Sequence, residues 1–270
     1  MVKPAVLTIA GSDSGGGAGI QGDLKTFAAL GVYGLSVVTS ITAQNTQGVR
    51  RVFDLPAELV IDQLRAVLED IEIHAVKTGM LSNREIIEAV GKTLETHHLR
   101  PLVVDPVMRA KSGDPLMAPE AEQALIEILL PQATVVTPNI PEAERLTGLR
   151  IGTREDMREA ARVIQQMGAQ AVLIKGGHLS VAREAIDILL AGGEFHEFSA
   201  ERIATPSGVH GTGCAFASAI AAGLARGYSL VEAVSRAKRY ITGAIRRSYR
   251  VGLGHPVLDH SWESGGGEDR

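Results

Sequence analysis

Cys214, the single cysteine among 270 residues, stands in a glycine-punctuated turn, His210-Gly211-Thr212-Gly213-Cys214, ahead of a dozen small and apolar residues that predict a buried helix. Glycines let backbone amides converge, and a helix N-terminus adds its positive dipole end, so the turn is suited to cradling an anion. Asp105, Asn139, Glu142 and Lys175 share its address, because each lies at or just beyond the end of an apolar, strand-like run. Asn139 and Glu142, three residues apart at a helix start, offer hard oxygen ligands for Mg²⁺ beside nucleotide phosphates, directly or through water. The same spacing suits a helix N-cap with an acidic third position. Lys175 either reaches a phosphate or snorkels at its strand end. Asp105 either orients Mg²⁺ through water or caps the turn that an Asp-Pro pair opens.

The elements that must position these residues alternate in kind. An apolar run at 5–10 predicts a strand, followed by a glycine loop at 11–19 and a helix over 20–30. Within that loop, residues 17–22 match the dinucleotide pattern G-x-G-x-x-G. Those glycines begin several residues past the strand, and the next predicted strand, 36–45, ends in Gln44 and Asn45 rather than an acidic residue for a ribose, so a substrate-side loop is favoured. A strand at 51–54 and an amphipathic helix at 56–70 follow. Strands at 75–78, 102–105 and 133–137 lead to helices at 83–96, near 120–130 and through 146. A further helix at 154–167, a strand at 171–175, a hairpin of 185–190 with 194–198 and a last helix at 230–246 complete the pattern. Strands apolar on both faces, each followed by a helix, describe an α/β fold with a doubly wound, mostly parallel sheet, an antiparallel hairpin at its edge, and ligands bound beyond the strands' carboxyl ends.

With 45% hydrophobic and 21% charged residues and no shift of composition, the chain predicts one domain over 1–260 and a disordered tail over 261–270. A net charge of -4 with interspersed signs gives no electrostatic case for nucleic acid or membrane partners. There is no signal-peptide pattern and no apolar run of membrane-spanning length, and one cysteine excludes an intramolecular disulfide, so a cytoplasmic protein acting on small molecules is expected.

The motifs A-G-S-D-S-G-G-G-A-G-I-Q-G-D at 10–23, K-T-G-M at 77–80, D-P-V-M at 105–108, N-x-x-E at 139–142 and G-T-G-C at 211–214 occur together and in order. Over roughly residues 5–256 the chain resembles the ribokinase-like superfamily, and within it the hydroxymethylpyrimidine/phosphomethylpyrimidine kinases. The resemblance implies transfer from ATP, with Mg²⁺, to 4-amino-5-hydroxymethyl-2-methylpyrimidine and then to its monophosphate. It implies that the amides of Gly211, Thr212 and Gly213 stabilise the transferring phosphoryl group, and that Lys175 and Mg²⁺ near Asp105, Asn139 and Glu142 neutralise the nucleotide. It further implies that Gln44 reads the pyrimidine, that Gly11, Met80 and Val107 line the ring's site, that Asp23 meets the substrate hydroxyl, and that the protein is a homodimer. Many superfamily relatives carry Asp where Cys214 stands. A helix N-terminus lowers a thiol's pKa, which allows a thiolate base; a small passive hydrophobe is the alternative. Val209 departs from the hydroxyl residue common before the turn's histidine, and Arg109 and Lys111 are candidates for the substrate's own phosphate. Two other readings stand beside this one. A pyridoxal kinase of the same group is the first. The second is a non-catalytic pyrimidine-binding regulator, whose mark would be loss of Asn139, Glu142, Lys175 or the glycine turn.

Overall fold

The computed structural model describes residues 3–110, 113–114, 116–177, 184–205 and 208–263. Its sheet grows from runs whose side chains are apolar on both faces. β1 (Ala5–Ala10) pairs in parallel with β2 (Tyr33–Val38) on one side and β5 (Ala75–Thr78) on the other. Beyond β5 come β6 (Leu102–Val104), β7 (Val135–Val136) and β8 (Ala171–Lys175), also parallel. The hairpin β9 (Glu184–Ala191) and β10 (Glu194–Glu201) closes that edge antiparallel, as its Ala191-Gly192-Gly193 turn predicts. The order is β10-β9-β8-β7-β6-β5-β1-β2.

Alternate residues of each strand feed two cores. Val6, Ala75, Val103, Val135 and Leu173 face one way, against α1 (Gly19–Ala29), α7 (Thr212–Ala225) and α8 (Leu230–Arg246). Leu7, Val76, Val104, Val136 and Ile174 face the other, against α2 (Ala57–Leu68), α3 (Arg84–Thr96), α5 (Ile140–Thr147) and α6 (Arg154–Gln166). Among the described residues no helix is long and apolar enough to cross a membrane.

Two expectations need correction. Residues 36–45 are not one strand: β2 ends at Val38, and β3 (Ser40–Asn45) leaves the sheet to pair antiparallel with β4 (Gly48–Asp54) as a separate hairpin. Thr39 makes the break, donating its N–H to the Ala10 carbonyl and its hydroxyl to the Met80 carbonyl, and beyond it the polar alternation of T-A-Q-N has no core to face. The helix near 120–130 is α4 (Pro119–Ala124), which widens into a π turn at Leu125–Leu129 and tightens to a 3₁₀ turn at Leu130–Gln132, where Pro131 lacks the N–H to continue. Seven of the ten residues of the expected tail, 264–270, lie outside the described residues.

Beneath the sheet's carboxyl edge three elements meet at one carboxylate. Asp23 on α1 is fully buried; its Oδ2 accepts from Thr8 Oγ1 at 2.6 Å and Lys77 Nζ at 2.9 Å, and its Oδ1 from Ser218 Oγ at 2.6 Å. Burial pulls the Lys77 ammonium down, but Asp23 and other anionic neighbours more than offset it, and its pKa lies above the ordinary lysine value. Asp23, expected at the substrate hydroxyl, is thus a strut between β1, β5 and α7 with both oxygens engaged. Removing one partner of a buried pair strands the other charge, at a cost of about 3–5 kcal/mol. Asp23→Asn is expected to lower the chemical denaturation midpoint by that order; lost turnover at an unchanged midpoint would show that the carboxylate acts on substrate instead.

Candidate active site

β6, β7 and β8 end side by side, and the residues just past them converge. Lys175 Nζ donates to Asp105 Oδ1 at 2.8 Å, with both groups nearly buried, and the Thr137 hydroxyl lies 3.3 Å from the same oxygen. Burial pulls the Lys175 ammonium down, while Asp105 and Glu142 raise it by more, so it stays charged. Asn139 and Glu142 form the capping box of α5: Glu142 N–H donates to Asn139 Oδ1 at 2.9 Å, and Asn139 N–H to Glu142 Oε2 at 2.8 Å. The capping alternative is thus the one that describes Asn139 in the structure, its Oδ1 holding the first turn of α5. Glu142 still faces the cavity. Burial and the nearby Asp105 push its carboxyl up to about 7, against the opposing pull of Lys175.

Over this pair sits the start of α7. Gly211 is its N-cap, left-handed at φ 81°, with no side chain capping the first turn. The first N–H groups of a helix have no intrahelical partner, and here they open into a cavity of about 490 Å³ lined by Asp105, Val107, Glu142, Lys175 and the 211–214 turn. A Cβ at Gly213 would stand 3.3 Å from Lys175 Nζ, so the ammonium sits directly beneath the turn. Arg109 lines the same cavity and donates to the Gly113 carbonyl at 3.0 Å, whereas Lys111 is outside the described residues. A second buried pair forms the far wall: Lys238 on α8 donates to Asp187 Oδ2 on β9 at 2.7 Å and to the Ala185 carbonyl at 2.9 Å.

The expected pyrimidine residues lie apart from that wall, except Val107. Met80 is buried, its Sδ close against Gly11, and Gln44 sits half-buried at the end of β3. His210 connects the two groups, lining the cavity while its Nε2 lies 3.4 Å from Gln44 Nε2.

The glycine loop after β1 holds an anion of its own. Asp13 Oδ1 accepts from Gly15 N–H, and Oδ2 accepts from Gly17 N–H, Ala18 N–H and His210 Nε2 at 2.8–3.0 Å. Burial alone raises this carboxyl, but the bonds from His210 and the loop amides win and hold it below the usual carboxylate range. Those amides are the ones a dinucleotide pyrophosphate would need, so the G-x-G-x-x-G match has no anion site. Asp13, His210, Lys77 and the Asp187–Lys238 pair were not assigned from the sequence. Lys77 and Asp187 did carry a signal, a lone charge inside an apolar strand, in A-V-K-T and A-I-D-I-L-L.

Cys214 is half-buried in the first turn of α7. Burial pushes its thiol up to about 12, Lys77 pulls against it, and Asp105 and Asp23 add to the rise. Burial and the two carboxylates thus oppose the lowering that a helix N-terminus gives, which favours the passive thiol of the two alternatives.

A family profile described as phosphomethylpyrimidine kinase matches residues 13–259. The hydroxymethylpyrimidine/phosphomethylpyrimidine kinase of Streptomyces coelicolor is 50% identical, over 98% of this chain and 97% of that protein. The thiamine biosynthesis bifunctional protein of Geobacter sulfurreducens is 54% identical over 96% of this chain, which spans about half (52%) of that longer protein. Among solved structures, a phosphomethylpyrimidine kinase from Clostridium difficile has a TM-score of 0.80 at 49% identity, covering 90% of this chain and 100% of that one. An ADP complex of Bacillus subtilis pyridoxal kinase has a TM-score of 0.90 at 41% identity, covering 97% and 99%.

With a pKa near 12, only about one thiol in ten thousand ionises at pH 8. Alkylation of the single cysteine by iodoacetamide is expected to accelerate about tenfold per pH unit with no plateau through pH 9. A plateau below pH 9 would reveal a stabilised thiolate.

Proposed function

The chain belongs to the phosphomethylpyrimidine kinase family, and we propose that it phosphorylates 4-amino-5-hydroxymethyl-2-methylpyrimidine and then its monophosphate with ATP and Mg²⁺, in thiamin biosynthesis. The observation that carries this reading is the uncapped first turn of α7 opening over the buried Lys175–Asp105 pair. Phosphoryl transfer asks a protein mainly for alignment and for neutralisation of spreading charge. The N–H groups at 211–213 supply fixed donors for the phosphoryl oxygens, and Lys175 supplies a cation that needs no reorganisation. Identity favours the pyrimidine kinases over pyridoxal kinase, at 49% against 41% for the two solved structures. Asn139, Glu142, Lys175 and the glycine turn are all present, which speaks against a non-catalytic regulator.

Among the described residues no three His, Cys, Asp or Glu side chains gather as a metal cage. Mg²⁺ asks for less: it keeps waters and takes one or two carboxylates beside phosphates, a role that Asp105 and Glu142 on the cavity wall fit. Bound there, Mg²⁺ would neutralise charge on the nucleotide phosphates. Glu142, held by Asn139, would keep an acceptor at that wall, and Asp105 would keep Lys175 aimed under the turn. Gln44, Met80, Gly11 and Val107 would face the pyrimidine. Cys214, protonated in the free protein, does not stand ready as a base; in a loose transition state the hydroxyl proton leaves late, to an oxygen of the transferred phosphoryl group or to water, so alignment dominates.

Residues 1–260 are proposed to act as one kinase domain and to form a homodimer. The outward pair Ile41 and Phe53 on the β3–β4 hairpin, 47% and 58% exposed, supports a second copy as cover.

A coupled assay with the alcohol, its monophosphate and pyridoxal tests the substrate reading: both pyrimidines should turn over, and a large preference for pyridoxal would sink it. Cys214→Ala is expected to keep more than about a tenth of kcat, a loss under about 1.4 kcal/mol. Glu142→Gln is expected to raise the Mg²⁺ needed for half-maximal rate about tenfold or more, with the pyrimidine KM unmoved.

A further inference from the structure

Gln44 suspends its carboxamide between two protein groups. Placed with Oε1 3.2 Å from Thr42 Oγ1 and Nε2 3.4 Å from His210 Nε2, the amide meets neighbours whose protons are already assigned elsewhere. Thr42 Oγ1 has one proton and lies 2.8 Å from the Ser12 carbonyl oxygen, which can only accept, so toward Gln44 it presents a lone pair. His210 Nε2 lies 2.8 Å from Asp13 Oδ2, and the Asp13 carboxylate, already holding three backbone N–H groups, can only accept. Nε2 therefore carries a proton whether the ring is neutral or charged, that N–H is given to Asp13, and toward Gln44 the nitrogen has no lone pair with which to accept. That placement sets lone pair against lone pair at Thr42 and an NH₂ group against a nitrogen that cannot accept at His210. A half-turn about the last side-chain torsion exchanges oxygen and nitrogen with hardly any displacement: the NH₂ then donates to Thr42 Oγ1, and the amide oxygen faces the proton-bearing edge of His210.

We infer that Thr42 and His210 are positioning residues that lock the Gln44 carboxamide with its NH₂ toward Thr42 and its oxygen toward His210. This rests on the reading of Gln44 as the group that meets the pyrimidine. A free carboxamide matches a donor–acceptor pair either way round by flipping, so it does not by itself distinguish a 4-aminopyrimidine edge from a 4-oxo edge. Locked, it offers one N–H and one lone pair in fixed order: the N–H to the ring nitrogen, the lone pair to the exocyclic amine. The amine then lies on the His210 side. Asp13 acts one step back, by fixing which nitrogen of His210 bears the proton.

The test compares kcat/KM for 4-amino-5-hydroxymethyl-2-methylpyrimidine with that for 5-hydroxymethyl-2-methylpyrimidin-4-one. Thr42→Val, isosteric but without the acceptor, is expected to cut the amino-over-oxo ratio about tenfold or more, mainly through KM, while Thr42→Ser keeps it within about threefold. An unchanged ratio in a folded Thr42→Val protein overturns the lock. Should that variant not fold, competition in the native enzyme decides: the oxo analogue should inhibit at least about tenfold more weakly than the amino compound binds, and equal binding overturns the lock. Gln44→Ala separates the two levels. A wild-type ratio in that variant refutes Gln44 as the reader, whereas a collapsed ratio there beside an intact one in Thr42→Val refutes only the lock.

Discussion

The site depends on one steric constraint, the contact of Gly211 with Gly17. A Cβ on Gly211 would overlap the Gly17 carbonyl oxygen, and a Cβ on Gly17 would strike the His210 ring. Only two glycines let the loop after β1 and the turn before α7 come this close, and the left-handed φ of Gly211 would strain any other residue as well. The consequence is positional. The first turn of α7 starts against a fixed backbone, with its N–H groups aimed at the cavity and no side chain between.

Polar groups hold that contact from two sides. Above, the Asp13 carboxylate collects three loop amides and His210, so the glycine loop is closed around an internal anion and does not wait for a ligand. Below, Asp23 joins β1, β5 and α7 through Thr8, Lys77 and Ser218. Both are acidic residues on or beside the first helix, and both are nearly or fully buried. Buried charges persist only where paired and hydrogen-bonded, and each here has three or more partners. Such preorganisation is what a reaction run on fixed electrostatics requires.

The cavity's charge balance follows from the same economy of partners. Lys175 is paired with Asp105 and Lys238 with Asp187, so two cations face the cavity already oriented and already compensated. Incoming phosphates would compete for them without having to order flexible side chains. Cys214 sits among these charges yet stays protonated, because burial and two nearby carboxylates outweigh one lysine. A helix N-terminus alone does not activate a thiol; its surroundings decide.

Periodicity determined the architecture. β1, β5 and β8, and the last helix, fall where the apolar runs and the 3.6-residue rhythm put them, because a strand buried on both faces and a one-sided helix each leave a local signature. The common placement of Asp105, Glu142, Lys175 and the glycine turn after strands was legible for the same reason, since a parallel sheet gathers its strand ends along one edge. Partnership was not legible. For Asn139 the sequence left ligand and helix cap side by side, for Cys214 thiolate and passive thiol, and it gave no sign that Asp23 would be tied to Thr8, Lys77 and Ser218. Nor did it show that Asp13 and His210, 197 residues apart, share a hydrogen bond. Burial, charge pairing and proton assignment depend on which groups are brought together across the chain, and that is decided only when strands, loops and helices close on one another.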